Sequence, residues 1–173
     1  MRRAADDADA DPDLFAADPR SWMAGEGAMP ALVARLETLE PALRSRRVRL
    51  LIRPHARHIV SDAPRCGLVL KHAARSTEPH IGIALDPIAM VEPSMLASAV
   101  DHIRRTLESL AHRAGVVILT SVREPRGPGA WFTPSPVREG LIPPDALLAL
   151  ATREIPPDCP VAMLADDAGT LVV

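Results

Sequence analysis

Tyrosine is absent from this chain of 173 residues, and Phe15, Phe132, Trp22 and Trp131 are its whole stock of Phe, Tyr and Trp rings. The core must therefore be built from small aliphatic layers of Ala, Leu, Val and Ile. Few rings remain to stack on bases or sugars. Cysteine is nearly as scarce. Cys66 and Cys159 cannot make a disulfide framework and do not form a CxxC pair, so both read as reduced, buried thiols. Long hydrophobic runs are missing too. The longest aliphatic run is Val116-Val117-Ile118-Leu119, whereas a spanning helix needs about 20 apolar residues. No insertion of this chain into a membrane is expected. The opening MRRAADDADADPDLFAADPR carries two early arginines but no hydrophobic stretch after them, unlike a secretory signal. These absences point to a cytoplasmic protein, or to a soluble piece of something larger.

What is present is unevenly distributed. Residues 1–28 hold three Arg against seven acids, a net of −4. Being Ala, Asp and Pro with little to bury, they read as a disordered acidic tail. Residues 29–75 hold ten Arg or Lys against three acids, a net of +7, and read as a helical, basic segment. Leu32, Val33, Leu36 and Leu39 keep helical spacing, with Pro30 suited to the first turn. Val48, Leu51, Ile52, Ala56 and Ile59 form a second helical pattern whose other face carries Arg46, Arg49, Arg53 and Arg57. Pro54 lies inside it and predicts a kink or a break.

Residues 76–173, net −5, read as an α/β subdomain. Ile81 to Leu85 is a strand stopped by Asp86-Pro87. Pro93 to Arg113 is an amphipathic helix, with Leu96, Val100, Ile103, Leu107 and Leu110 on one face, ended by Gly115. Val116 to Thr120 reads as a strand buried on both sides. Residues 122–144, rich in Pro and Gly, read as a long loop centred on Trp131-Phe132. Ala146 to Ala151 reads as a strand. Val161 to Ala165 and Thr170 to Val173 bracket a plausible hairpin turn at 166–169. The expected fold class is α/β (α+β): an N-terminal helical segment, then a small mixed sheet with one long amphipathic helix packed on it.

Four segments stand in a telling order: Val48-Arg49 with Ile59 beyond, Leu85-Asp86-Pro87, Leu119-Thr120-Ser121 with Arg123, and Glu154-Ile155-Pro156-Pro157-Asp158. Together they resemble the C-terminal cytoplasmic region of the flagellar and virulence type III export gate family, FHIPEP, over roughly residues 46–165. The resemblance implies a strand leading into Glu-Ile, then a Pro-Asp turn and a last strand. It also implies a non-enzymatic binding or scaffold module, acting in protein export through export apparatus subunits, chaperones or export substrates. Such a module would sit at the cytoplasmic face of the inner membrane through those partners, with self-assembly left open. The chain departs from the family in lacking the preceding membrane domain, in placing Pro125, Gly127, Pro128 and Gly129 where a helix follows the Leu-Thr-Ser strand, and in having Ala151-Thr152 where Ser-Tyr is common.

The residues offer few competing chemistries. His55, His58 and Asp62 have a spacing that could serve a metal on an unbroken helix, but Pro54 disturbs it, and a solvated or capping face is the alternative. His72 and His80 near Cys66 give a still thinner set. No metal or other cofactor is expected. Ser121 lacks the Gly-x-Ser-x-Gly elbow, and a serine hydrolase would need His102 or His112 beside it. Asp86 with Glu92 makes an acid/base pair only by juxtaposition in the sequence, and no catalytic residue is assigned. Arg46, Arg49, Arg53 and Arg57 suit an acidic protein partner. The alternative is a small nucleic-acid-binding or regulatory protein using an arginine-rich helix, against which the pI near 6.3 and the scarcity of Lys and aromatics argue. Trp131 and Phe132 either pin their loop onto the sheet or anchor a partner.

Overall fold

The computed structural model describes residues 27–124 and 131–164 and the backbone of 171–172. Residues 1–26, which include most of the expected acidic tail, 125–130, 165–170, which include the turn expected at 166–169, and 173 lie outside the described residues.

Helix α1 spans Ala28–Ser45, with Pro30 in its first turn and Pro41 inside it. It buries Leu36, and half-buried Met29, Leu32 and Leu43 pack beside it. The chain then turns through Arg47, whose φ of 54° is the left-handed conformation that ends helices. This turn is a correction to the expected second helix. Residues 46–59 form strand β1 (Leu50–Ile52) and a loop. A short apolar run fits helical and extended spacing equally well, and Arg47 and Pro54 bound it too closely for a helix to form.

Helix α2 (Ala63–Ala73) starts at Asp62, whose carboxylate accepts the Arg65 backbone N–H at 2.8 Å. Strand β2 (Ile81–Leu85) is buried along its whole length. A 3-10 turn (Pro93–Ser98) leads into α3 (Ala99–Leu110), which buries Ile103, Leu107 and Leu110, and a second 3-10 turn (Ala111–Arg113) closes the expected amphipathic segment. Strand β3 (Val116–Leu119) follows. The stretch expected to be all loop carries a small antiparallel pair, β4 (Ser121–Arg123) and β5 (Thr133–Ser135).

Helix α4 (Pro144–Glu154) replaces the strand expected at 146–151. Pro144 and Asp145 suit a first turn, and the Ala/Leu run is made of strong helix formers. Leu147 and Leu150 fall three apart and are both buried, while Ala149 is exposed. The helix also stands where the export-gate resemblance implies a strand. Strand β6 (Val161–Leu164) and β7 (Leu171–Val172) pair antiparallel, while the turn expected between them lies outside the described residues.

The five-stranded sheet has the order β1-β2-β3-β6-β7, the first four parallel. The fold is thus of the helix-and-mixed-sheet class the sequence pointed to. The strands enter the five-stranded sheet in chain order, β4 and β5 pairing apart from it, so crossovers of one hand stack α2, α3 and α4 side by side on one face. Ile81, Ile83, Leu85, Val117 and Leu119 point into that layer, against Cys66, Val69, Ile103, Leu107 and Leu147. Because β1 pairs with β2, the segment expected to be helical supplies the first strand of the same sheet.

Candidate functional site at the carboxyl ends of the strands

Parallel strands that run the same way end together. Ile52, Leu85 and Leu119 close β1, β2 and β3, and the next residues are Arg53, Asp86 and Thr120. In open α/β sheets this is the edge where ligands bind, because the chain leaves the sheet there and polar side chains can converge. Arg53 donates to Asp86 Oδ2 from Nη2 at 2.6 Å and from Nε at 3.2 Å. Asp86 Oδ1 accepts the N–H groups of Ile88 (3.2 Å) and Ala89 (3.1 Å) and lies 3.4 Å from Thr120 Oγ1. The Asp86 side chain has no exposed surface, while 48% of the Arg53 side chain remains exposed. Burial pushes the Asp86 carboxyl up from its ordinary range, and Arg53 and the two backbone donors pull against that shift. Asp86 is therefore a fastening that aims a guanidinium outward.

The loop after β1 adds a second layer. The His55 backbone N–H bonds Val60 O at 3.0 Å, and its Nδ1 accepts the Arg57 backbone N–H at 3.0 Å. The His55 ring lies 4.7 Å from that of His58 and 5.7 Å from that of Trp131. The Arg57 guanidinium carbon stands 5.5 Å from the Trp131 ring centre, within cation–π range. Burial, then the neighbouring His58, Arg53 and Arg57, lowers the His55 pKa to about 4. Burial and the two arginines lower His58 as well. Both imidazoles are neutral at pH 7, and the positive charge belongs to the guanidiniums. A cleft of about 130 Å³ opens between Arg53, His55, Thr120, Trp131 and Phe132. It has room for one carboxylate or phosphate group.

Of the candidate residues, the structure brings together Arg53, Arg57, Trp131 and Phe132. Phe132 is buried and pins the segment, whereas Trp131 is half-buried and faces the cleft. Arg49 goes elsewhere. Its guanidinium lies beside Gly82 and Gly115, on the sheet face away from the helices. Arg46 caps the end of α1 and is exposed. The four arginines therefore form no helical stripe, and the alternative of an arginine-rich recognition helix loses its helix.

Asp86, Thr120 and His55 were not singled out as binding residues by pattern. One signal could have found the first two: a polar residue immediately after each apolar strand in successive parallel units.

The other candidates resolve separately. Ser121 Oγ accepts the Ile142 N–H at 3.3 Å, and its hydrogen-bond partners among the described residues include no histidine. His102 and Glu92 line a different cavity. Asp62 caps α2, and among the described residues no three His, Cys, Asp or Glu are grouped to hold a metal ion. His72 is buried with Nδ1 3.7 Å from Glu37, and His80 Nδ1 contacts Val48 O at 3.2 Å. Cys66 and Cys159 are free thiols, and burial pushes that of Cys66 up to about 12. Among the described residues no helix is long and apolar enough to cross a membrane. No family model matches the chain, and neither curated proteins nor solved structures provide a match.

Proposed function

We propose that this chain is a protein-binding module whose strand-end cleft receives an acidic group of a partner, in the role that the export-gate resemblance implies. The observation that carries the reading is a half-exposed guanidinium lining the cleft, with a second one against the cleft's Trp131. Arg53 is held by the fully buried Asp86, and the Arg57 guanidinium carbon stands 5.5 Å from the Trp131 ring centre. A guanidinium fixed in this way loses little freedom on meeting a carboxylate and can bond it through two parallel N–H donors. Arg and Trp are also the residue types that dominate binding energy at protein interfaces. The partners are export apparatus subunits, chaperones or export substrates, met on the cytoplasmic side of the inner membrane.

The test is affinity capture from a native lysate with the wild-type chain and with Trp131→Ala and Arg57→Ala, the captured proteins being identified by mass spectrometry. Secretion chaperones, export substrates or gate subunits held by wild type and lost by both variants support the reading. Capture that is indifferent to both substitutions, or of nucleic acid alone, overturns it.

A further inference from the structure

A larger cavity, about 580 Å³, opens between the first turn of α2 and α3, and it shares the loops after β1 and β2 with the strand-end cleft through Ala56 and Met90. That is within the roughly 300–1,000 Å³ typical of small-ligand sites. One wall is the first turn of α2, with Asp62 and Arg65. The opposite wall is a stripe on α3, where His102, Thr106 and Ser109 recur at spacings of four and three. The floor is Met90 and Met95.

The α3 stripe is unexpected. Its helix turns one apolar face to the core and a charged face to water, yet this third, polar stripe borders empty space. Thr106 is only 5% exposed, and the buried Nε2 of His102 has no hydrogen-bond partner among the described residues. A buried polar atom left unmatched is costly, and apolar residues would have let α3 close on α2. Such a stripe is worth keeping where a ligand completes it.

The lining also defines the ligand. Arg65 and Arg105 accompany Asp62 and Glu92, Arg65 Nε standing 3.9 Å from Asp62 Oδ2, and the described lining carries no net excess of either sign, burial and Arg105 lowering the His102 pKa. This balance disfavours a polyphosphate. Among the described residues no Trp or Phe lines the cavity, which leaves a nucleobase without a platform there. Two methionines offer an adaptable apolar surface instead. Arg65 bonds Ser61 Oγ at 2.8 Å and Arg105 bonds Asp101 Oδ2 at 2.7 Å, but each guanidinium has five N–H donors, so both keep some for a ligand.

We propose that this cavity binds a small zwitterion with an aliphatic side chain, of the amino-acid class. Its carboxylate meets the guanidiniums, its ammonium meets the carboxylates and the His102 and Thr106 polar atoms, and its side chain rests on Met90 and Met95.

Calorimetric titration of the full chain with L-leucine tests this, with isocaproate and isoamylamine as analogues that each lack one charge. Saturable binding of leucine is expected. Each analogue should bind at least about tenfold more weakly, as loss of a charged hydrogen bond implies. His102→Leu should abolish binding. Ser109→Trp, at an exposed position, should do the same by blocking the mouth without disturbing the core. No saturable heat with leucine overturns the proposal. So does isocaproate binding as tightly as leucine, or leucine binding unchanged in a folded Ser109→Trp protein.

Discussion

With Arg53 replaced by Met, the Asp86 carboxyl stays buried at the ends of β1, β2 and β3 and loses the cation that bonds it among the described residues. Removing the partner of a buried carboxylate costs up to about 3 kcal/mol, and less here because Arg53 is half-exposed and solvent screens the pair. The sign of the pH dependence follows from the direction of the shift. The folded protein already favours protonated Asp86 more than the unfolded chain does, and Arg53 is the main opposing influence. Without it the folded-state pKa rises further. A raised carboxyl contributes stability below its unfolded value and loses that contribution as pH rises. Urea unfolding of Arg53→Met should therefore show a larger deficit against wild type in mildly alkaline than in mildly acidic buffer. A deficit independent of pH would mean that Asp86 is not the group exposed to the loss. Gly140 makes a second residue-scale case. A Cβ there would lie 2.0 Å from Ser121 Oγ and 2.7 Å from Ser135 Oγ, both on fully buried side chains. Gly140→Ala should lower stability by about 1–3 kcal/mol, the usual range for overpacking, read by the same denaturant titration.

At the scale of elements, the strands β2 and β3 and the helix α3 were legible in the sequence because each has one period and clear stops. Leu96 to Leu110 repeats at helical spacing, and Ile81 to Leu85 ends at Asp86-Pro87. The failures came where two periods fit. Val48, Leu51 and Ile52 suited a helix until β1 had a neighbour to pair with, and that neighbour lies thirty residues on, at Ile81 to Ile83. Ala146 to Ala151 is Ala and Leu without a polar beat, which alternation cannot sort. The helix there makes a distinct prediction. Leu147 and Leu150 are buried and Ala149 exposed, whereas a strand would place 147 and 149 on one face. Leu147→Ala and Leu150→Ala should each cost about 2–5 kcal/mol, as buried leucines do. Ala149→Glu should cost about 0.5 kcal/mol or less, as exposed substitutions do. Equal losses at 147 and 149 would favour the strand. The loop after β1 carries its own pH signature. His55 is held near 4 against an ordinary 6.5, so its neutral form belongs to the fold. A lowered pKa means stability present above 6.5 and lost as pH falls toward about 4. The thermal midpoint should drop across that window. His55→Asn, which keeps an acceptor for the Arg57 N–H, should flatten part of the slope.

At the scale of the whole molecule, the charge blocks mark three segments of unlike composition, and the sheet joins two of them. Arg53, from the basic block, is fastened to Asp86, from the acidic one, and β1 lies in register with β2 from Leu50↔Ile81 to Ile52↔Ile83. The cleft was only partly legible for the same reason. Arg53, Arg57, Trp131 and Phe132 could be named one by one, but their convergence depends on parallel strand ends that no local pattern reports. A cut between the blocks therefore severs a single cooperative unit. The fragment 76–173 would lose β1 and also α2, whose Cys66, Val69 and Leu70 belong to the same core as Ile81 and Ile83. Exposing so much of a central strand removes apolar burial at ~25 cal/mol per Å² and leaves a long sheet edge unpaired. The full chain should melt in one transition that coincides by circular dichroism and by Trp fluorescence. The fragment should show no cooperative melt and should associate through its exposed edge. A fragment that melts cooperatively as a monomer would mean that the basic segment is an accessory to the fold, and the Arg53–Asp86 fastening would then be a contact between two units and not the centre of one.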